Sequence, residues 1–430
     1  MIGIFWFRRD LRLEDNIALF QAINNSVEIL PIFIFDKTIL EKLEKNDARV
    51  SFIHKLLSQI QEKLNTQGKS LAIFHGNPLD ILKKLIAENN ISAVYANRDY
   101  EPKARDRDKE IYFFLKEKNI EFKTFKDQVI FEKSEIIKDN GTPYQVFTPY
   151  SKKWIEYAKK LTFDIQPSIK YNLFSNHNYP FLSLQDIGFE KSTIAVKPFI
   201  FSENLIQNYE DTRNIPSLDA TSYLSPHLRF GSVSIRFLVQ KALQYENKGF
   251  LNELIWREFF MQILWHFPLT VEKSFKPIYD QIVWKNDESK FVKWCDGKTG
   301  YPMVDAGMRQ LNATGYMHNR VRMIVASFLC KHLLIDWRWG EAYFAQKLLD
   351  FELSSNIGNW QWAAGSGVDA APYFRIFNPW EQQKKFDPKE SYIKKWILEY
   401  GTSNYPAPIV EHKTARELCL ETYKKALEKI

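Results

Sequence analysis

Between residues 1 and about 125, short continuous apolar runs alternate with stretches whose apolar residues recur every three or four positions. The runs at 2–7, 27–35, 71–74, 93–96 and 122–125 show little polar alternation, which is how strands buried on both faces of a parallel sheet read. Helical periodicity fills the intervals at 47–66, 78–89 and 102–118. Such alternation predicts an α/β unit, a Rossmann-like parallel sheet with helices on both faces. Sheets of this kind bind ligands beyond the C-terminal ends of their strands, here the segments 8–15 and 98–101.

The pattern then changes twice. From 126 to 195 it is irregular, with Gly141-Thr142-Pro143-Tyr144 and an Asn/Ser/Pro-rich run around 172–183, and reads as a long interdomain linker. From 196 to 430 strand signals nearly vanish. Helices are expected at 199–209, 231–244, 249–265, 287–295, 303–312, 317–334, 340–349, 388–399 and 412–428, giving an all-α second domain.

Composition narrows the class. A chain of 430 residues is too long for one core. A net charge of +7 permits a polyanionic partner, but no Lys/Arg block forms a basic tail, so a nucleic-acid surface must be assembled by folding. Cys295, Cys330 and Cys419 are odd in number and widely spaced, which argues for a reducing, cytoplasmic setting without disulfides or a cysteine metal site. The apolar N-terminus runs straight into Arg8-Arg9-Asp10, too short for a signal peptide, and no stretch is long enough to span a bilayer.

Candidate chemistry concentrates in the helical part. Five tryptophans, Trp337, Trp339, Trp360, Trp362 and Trp380, fall within one segment, interleaved with Ala, Gly and Ser. Indoles at this density, where a purely structural core would use Leu, Ile and Val, suggest a flat ligand, stacked bases or electron transfer. Gly365-Ser366-Gly367-Val368-Asp369-Ala370 matches a dinucleotide fingerprint, but no strand precedes it, so it reads as a chance match. Thr221, Ser222 and Ser225 either cap a helix or help cradle a diphosphate. Glu253, Trp256 and Arg257 share one turn of an apolar helix, as a structural ion pair or as a recessed polar site. Asn319 and Met323 lie four apart on one helix face; the flanking Arg320 and Arg322 either reach phosphates or neutralise Asp350 and Glu352. His318 reads more readily as a hydrogen-bonded core residue than as a base, and none of the histidines has metal-binding spacing.

At this point the motifs resemble a known family. Arg8-Arg9-Asp10-Leu11-Arg12-Leu13-Glu14-Asp15-Asn16, Trp256-Arg257-Glu258-Phe259, Met317-His318-Asn319-Arg320 and the stretch from Trp360-Gln361-Trp362 to Asn378-Pro379, followed by Gln382 and Lys385-Phe386-Asp387, are similar to the photolyase/cryptochrome family, in order and along essentially the whole chain. The resemblance is to its class I cyclobutane pyrimidine dimer photolyases. It implies an antenna domain (1–125), a linker (126–195) and a helical domain (196–430) that binds FAD and UV-damaged DNA, acting as a monomer. It further implies light-driven electron transfer from reduced flavin to a pyrimidine dimer flipped out of the duplex.

Carried onto this sequence, the resemblance gives Tyr209, Thr221, Ser222, Tyr223, Leu224, Ser225 and Arg257 to the FAD phosphates and their surroundings. Arg322, Asp350, Phe351 and Glu352 would line the flavin, with Asn356 facing its N5. Glu253 would hydrogen-bond the pyrimidine carbonyls, Trp256 and Trp362 would wall the lesion, and Arg213, Asn319, Arg320 and Met323 would contact it or its backbone. Trp360, Trp337 and Trp284 would relay electrons from the surface. Photolyases for (6-4) photoproducts carry two histidines where this chain has Asn319 and Met323, which favours cyclobutane dimers. A second, antenna chromophore of folate, deazaflavin or flavin type would use Asp99 and Glu101, with Arg49 fitting one variant. The runner-up is a cryptochrome-like blue-light photoreceptor without repair, against which stand Asn356, where plant-type members tend to carry Asp, and an end at Ile430 that leaves no signalling tail. Phe250 replaces a tryptophan found in some relatives.

Overall fold

The computed structural model describes residues 2–26, 28–163, 165 and 170–428. It divides into two compact units, each built from three chain segments. One comprises Met1–Glu135, Ile155–Phe199 and Tyr223–Gln244; the other comprises Ile136–Trp154, Ile200–Ser222 and Tyr245–Ile430.

In the first unit, strands β1 (Ile2–Phe7), β2 (Glu28–Asp36), β3 (Ala72–Gly76), β4 (Ile91–Asn97) and β5 (Glu121–Phe125) form one sheet in the order β3-β2-β1-β4-β5. Every neighbouring pair is parallel. The central strands are buried almost throughout, as their unbroken apolar runs require. The expected strand at 27–35 is found from Glu28 on; Val27 lies outside the described residues.

The strand order reverses between β1 and β4, so the loops after these two strands meet at the switch point. They are tied down there by a buried polar network. Asp10 accepts from the Arg8 backbone N–H at 2.7 Å and from the Asn97 and Asn16 side-chain amides at 2.5 and 3.3 Å. Arg12 and Arg236 both clamp Asp127. A helix at Ile17–Asn25 escaped the sequence reading; it is begun by Asn16, whose side chain accepts from the Leu19 N–H. It is only nine residues long, too brief for a clear periodicity.

The second unit is helical. The expected helices appear at Gly249–His266, Glu288–Cys295, Pro302–Thr314, Asn319–Ser327, Trp337–Lys347, Ser391–Trp396 and His412–Leu427. The single helix expected over 317–334 instead changes after Ser327 into a π-helical turn, Phe328–His332. Three corrections follow from burial. The linker read as irregular contains a helix, Phe147–Ala158. Leu353–Ala364, which carries Trp360 and Trp362, is helical, as is Pro379–Phe386. Helix 353–364 is enclosed by its neighbours on several sides, so its sequence has no single apolar stripe to betray it.

Candidate active site

Helices Asn319–Ser327 and Leu353–Ala364, with the Asp350–Glu352 turn, bound a cleft in the second unit of about 610 Å³ out to its open mouth. Its enclosed part is about 100 Å³. Nine of the sequence-predicted residues line it: Asn319, Arg322, Met323, Asp350, Phe351, Glu352, Asn356, Trp360 and Trp362. Asn319 and Met323 are brought to the cleft together, as their four-residue spacing requires. Arg322 is fixed by Nε donating to the Met317 carbonyl at 2.8 Å and Nη2 donating to Asp350 at 2.9 Å. Asn356 is oriented by Glu341: its amide nitrogen donates to the Glu341 carbonyl at 3.1 Å and to Oε1 at 2.8 Å. The amide oxygen is thereby turned away from Glu341. Burial raises the Glu341 carboxyl pKa, against the opposing effect of that hydrogen bond.

Helix Gly249–His266 supplies the second group. Glu253 forms an ion pair with Arg213 and not with its helix neighbour Arg257. Burial pushes the Glu253 carboxyl upward while Arg213 pulls it down. One turn on, the Trp256 indole stacks on Phe147 at 3.7 Å with the planes 4° apart, and lies 5.4 Å from Phe260. Gly358 on helix 353–364 allows the Phe260 ring its position, because a Cβ there would overlap it. Arg320 donates twice to Asn214, at 3.2 and 2.6 Å, and its guanidinium lies 4.4 Å over the Phe386 ring. Burial, Arg213 and Arg375 all depress the Arg320 pKa, the signature of three guanidinium groups sharing a neighbourhood.

Trp360 and Trp337 are fully buried, at 2% and 1% exposure. Helix Trp337–Lys347 approaches Trp360 closely at Gly340, where any Cβ would overlap the indole. Arg338 lies 4.7 Å over the Trp337 ring. Trp284 is half-buried and packs edge-on against Tyr423 at 6.1 Å. Trp339 and Trp380 pack against Phe291 and Tyr301.

The remaining candidates fall out differently. Gly365 is the left-handed C-cap of helix 353–364, so the dinucleotide match has no strand-to-helix turn behind it. His318 caps helix 319–327, accepting the Arg320 N–H at 3.2 Å, and burial lowers its pKa to about 4, which leaves it a neutral structural group. Tyr223, with φ 52°, is the N-cap of the short helix Leu224–Arg229 and gives it no side-chain capping bond, whereas the next helix is capped by Ser234. In the first unit Asp99 and Glu101 both receive Arg9, at 3.2 and 2.9 Å, and Glu101 also receives Arg229 at 2.7 Å. Arg49 pairs with Asp47.

The geometry also names residues that sequence reasoning passed over. Glu341 orients Asn356, Phe147 covers Trp256, and Arg375 adds a third guanidinium. None sits in a recognisable motif, and each acts through a contact made only on folding.

The chain is similar to known proteins along almost its whole length. Residues 3–168 match the DNA photolyase family, and residues 250–402 match the FAD binding domain of DNA photolyase. The chain is 36% identical to a deoxyribodipyrimidine photo-lyase of Synechococcus, over 95% of this chain and 93% of that protein. It superposes on a bacterial class III photolyase from Agrobacterium tumefaciens with a TM-score of 0.87 at 34% identity, covering 99% and 97% of the two chains. A cryptochrome from Synechocystis gives 0.84 at 26% identity, covering 98% and 99%. This chain belongs to the DNA photolyase family and carries that family's FAD-binding domain.

Proposed function

We propose that this protein is a light-dependent DNA repair lyase that splits cyclobutane pyrimidine dimers, working as a monomer in the cytoplasm. The observation that carries the reading is the cleft that gathers Asn319, Met323, Asp350, Asn356, Trp360 and Trp362 in one place. Its donor set suits a flat heteroaromatic ring with polar edges: an arginine–carboxylate pair, an amide oxygen turned away from its neighbour, and an indole. Arg322, Asp350, Phe351, Glu352 and Asn356 would hold the flavin ring of FAD, and Tyr209, Thr221, Ser222 and Arg257 would serve the rest of the cofactor. When bound, FAD supplies the light absorption and the single electron that opens and returns from the lesion. The domain bounds we assign are 1–125 for the antenna domain, 126–195 for the linker and 196–430 for the FAD- and DNA-binding domain. A second chromophore would sit in the antenna domain.

The protein's own groups do the rest. Trp256 and Trp362 give the flipped pyrimidines apolar surface and keep water out; aromatic stacking of this kind is worth roughly 1–3 kcal/mol per base, enough to offset unstacking. Glu253, whose burial favours the neutral acid, would donate its carboxyl O–H to a pyrimidine carbonyl, where developing negative charge is stabilised most. Arg213, Arg320 and Arg375 supply positive charge for flanking phosphates, so binding weakens with salt. Trp284, Trp337 and Trp360 are the residues that would relay electrons toward the cofactor.

The test is a dimer-containing oligonucleotide, reduced protein and blue light. Recovery of intact pyrimidines is expected; tight dark binding without recovery would reject repair. The shared fold with a cryptochrome keeps a photoreceptor as the second reading. A sensor would bind damaged and undamaged duplex alike in the dark.

A further inference from the structure

The stacking of Phe147 on Trp256 is tighter than packing alone asks for. Most aromatic pairs in proteins settle edge-on or offset, with centroids 4.5–7 Å apart. Here the separation is 3.7 Å and the planes are within 4° of parallel, the geometry of one base on another. Phe147 also meets Phe259 edge-on at 5.9 Å.

Its position is fixed from several directions. The Phe147 N–H donates to Asp369 at 3.1 Å, and Asp369 lies just beyond the C-terminal end of helix 353–364. Within the same helical segment, Tyr150 packs against Phe259 at 5.2 Å, and the Trp154 indole N–H donates to buried Glu258 at 2.5 Å. Three residues of one helix, Phe147, Tyr150 and Trp154, thus contact a single turn, 256–259, of helix Gly249–His266. Both residues of the stacked pair remain half-buried.

We infer that Phe147 is a positioning residue for lesion recognition: it covers one face of the Trp256 indole and sets the plane of the surface that meets a flipped pyrimidine. The inference rests on the lesion-wall role proposed for Trp256. A free indole at this site would sample several orientations, and ordering it would count against binding. Preset by Phe147, it presents a fixed surface before the lesion arrives. Segment 136–154 is then part of the recognition apparatus and not a passive connection.

The experiment compares the full-length flavoprotein with its Phe147→Ala, Phe147→Leu, Phe147→Tyr and Trp256→Ala variants. The readouts are dark affinity for a dimer-containing and an undamaged duplex, flavin content, and repair per absorbed photon at saturating DNA. Phe147→Ala and Phe147→Leu should each lose about 3- to 10-fold in preference for the damaged duplex, the scale of one aromatic pair. Phe147→Tyr should restore it. Flavin content and repair once bound should stay as in the parent, because neither depends on how the indole is preset. If Phe147→Leu keeps full preference while Trp256→Ala loses it, stacking is not what positions the indole and the inference is overturned, with the lesion wall intact. If Trp256→Ala itself keeps full preference, the wall assignment fails and the inference falls with it.

Discussion

The Asn356 side chain donates its amide nitrogen twice to Glu341, to the carbonyl at 3.1 Å and to Oε1 at 2.8 Å, so the amide oxygen is the atom turned from that contact. One residue that lines the cleft is thereby oriented by another on the neighbouring helix. Removing Glu341 Oε1 takes away one of the two acceptors and leaves the amide held by the Glu341 backbone carbonyl alone. Glu341→Ala is expected to leave FAD bound but to speed air reoxidation of the reduced protein by about fivefold, the equivalent of one ordinary hydrogen bond. Stopped-flow absorbance after anaerobic reduction reads this directly. An unchanged rate would mean that Asn356 is held by its backbone and helix alone.

The close approach at Gly340 gives a second prediction. A Cβ there would overlap the far ring atoms of Trp360 and meet Leu329. Overpacking of this kind typically costs about 1–3 kcal/mol. Gly340→Ala should lower the thermal midpoint by several degrees and also slow light-driven reduction of the flavin, because the displaced indole is one of the proposed relays. A loss of stability with normal photoreduction would remove Trp360 from the relay.

Glu253 and Arg213 pose a charge question. Burial favours the neutral carboxylic acid and Arg213 favours the carboxylate. Glu253→Gln keeps the shape and hydrogen-bond capacity and should retain most of the repair yield, whereas Glu253→Ala should lose several-fold with flavin content unchanged. Arg213→Ala removes the only opposing effect, so the Glu253 pKa should rise and its titration move to higher pH. Equal yields for all three variants would show that Glu253 does not touch the lesion.

How much of this was legible beforehand depended on where the information sits. Strands β1, β2 and β4 could be read because strands buried on both faces need nearly unbroken apolar runs. Helix 319–327 could be read because Asn319 and Met323 repeat at the helical period. Helix 353–364 could not, since neighbours enclose it and polar Asn356, apolar Ile357 and two indoles occur without a stripe. Helix 147–158 was masked by the turn-like residues before it and by lying in a segment read as a connection. Asp99 and Glu101 were visible as acidic residues at a strand end, but only the fold shows that Arg9 and Arg229 already pair with them. Local periodicity carries elements; partners far apart in the chain, such as Phe147 with Trp256 or Glu341 with Asn356, are set by tertiary packing.

The last prediction concerns acid stability. His332, on the π-helical turn, is hydrogen-bonded to His412 at 2.9 Å, stacks on Phe328 at 4.9 Å and is only 4% exposed. Burial, and then the neighbouring His412, lower its pKa to about 3. Burial lowers the His412 pKa as well, with Glu411 opposing and Arg416 adding to that effect. In the unfolded chain His332 titrates near its ordinary value of about 6.5. Between these two values the unfolded state holds a proton that the folded state excludes. Stability must therefore fall as pH drops from about 6.5 towards 3, by about 1.4 kcal/mol per pH unit where the difference is complete. His332→Phe keeps an aromatic ring against Phe328 and removes the titration. Urea unfolding at pH 7 and at pH 4.5 should show the parent losing more stability than this variant across the interval. Equal losses would place the acid sensitivity in other groups and leave His332 a neutral packing residue at both pH values.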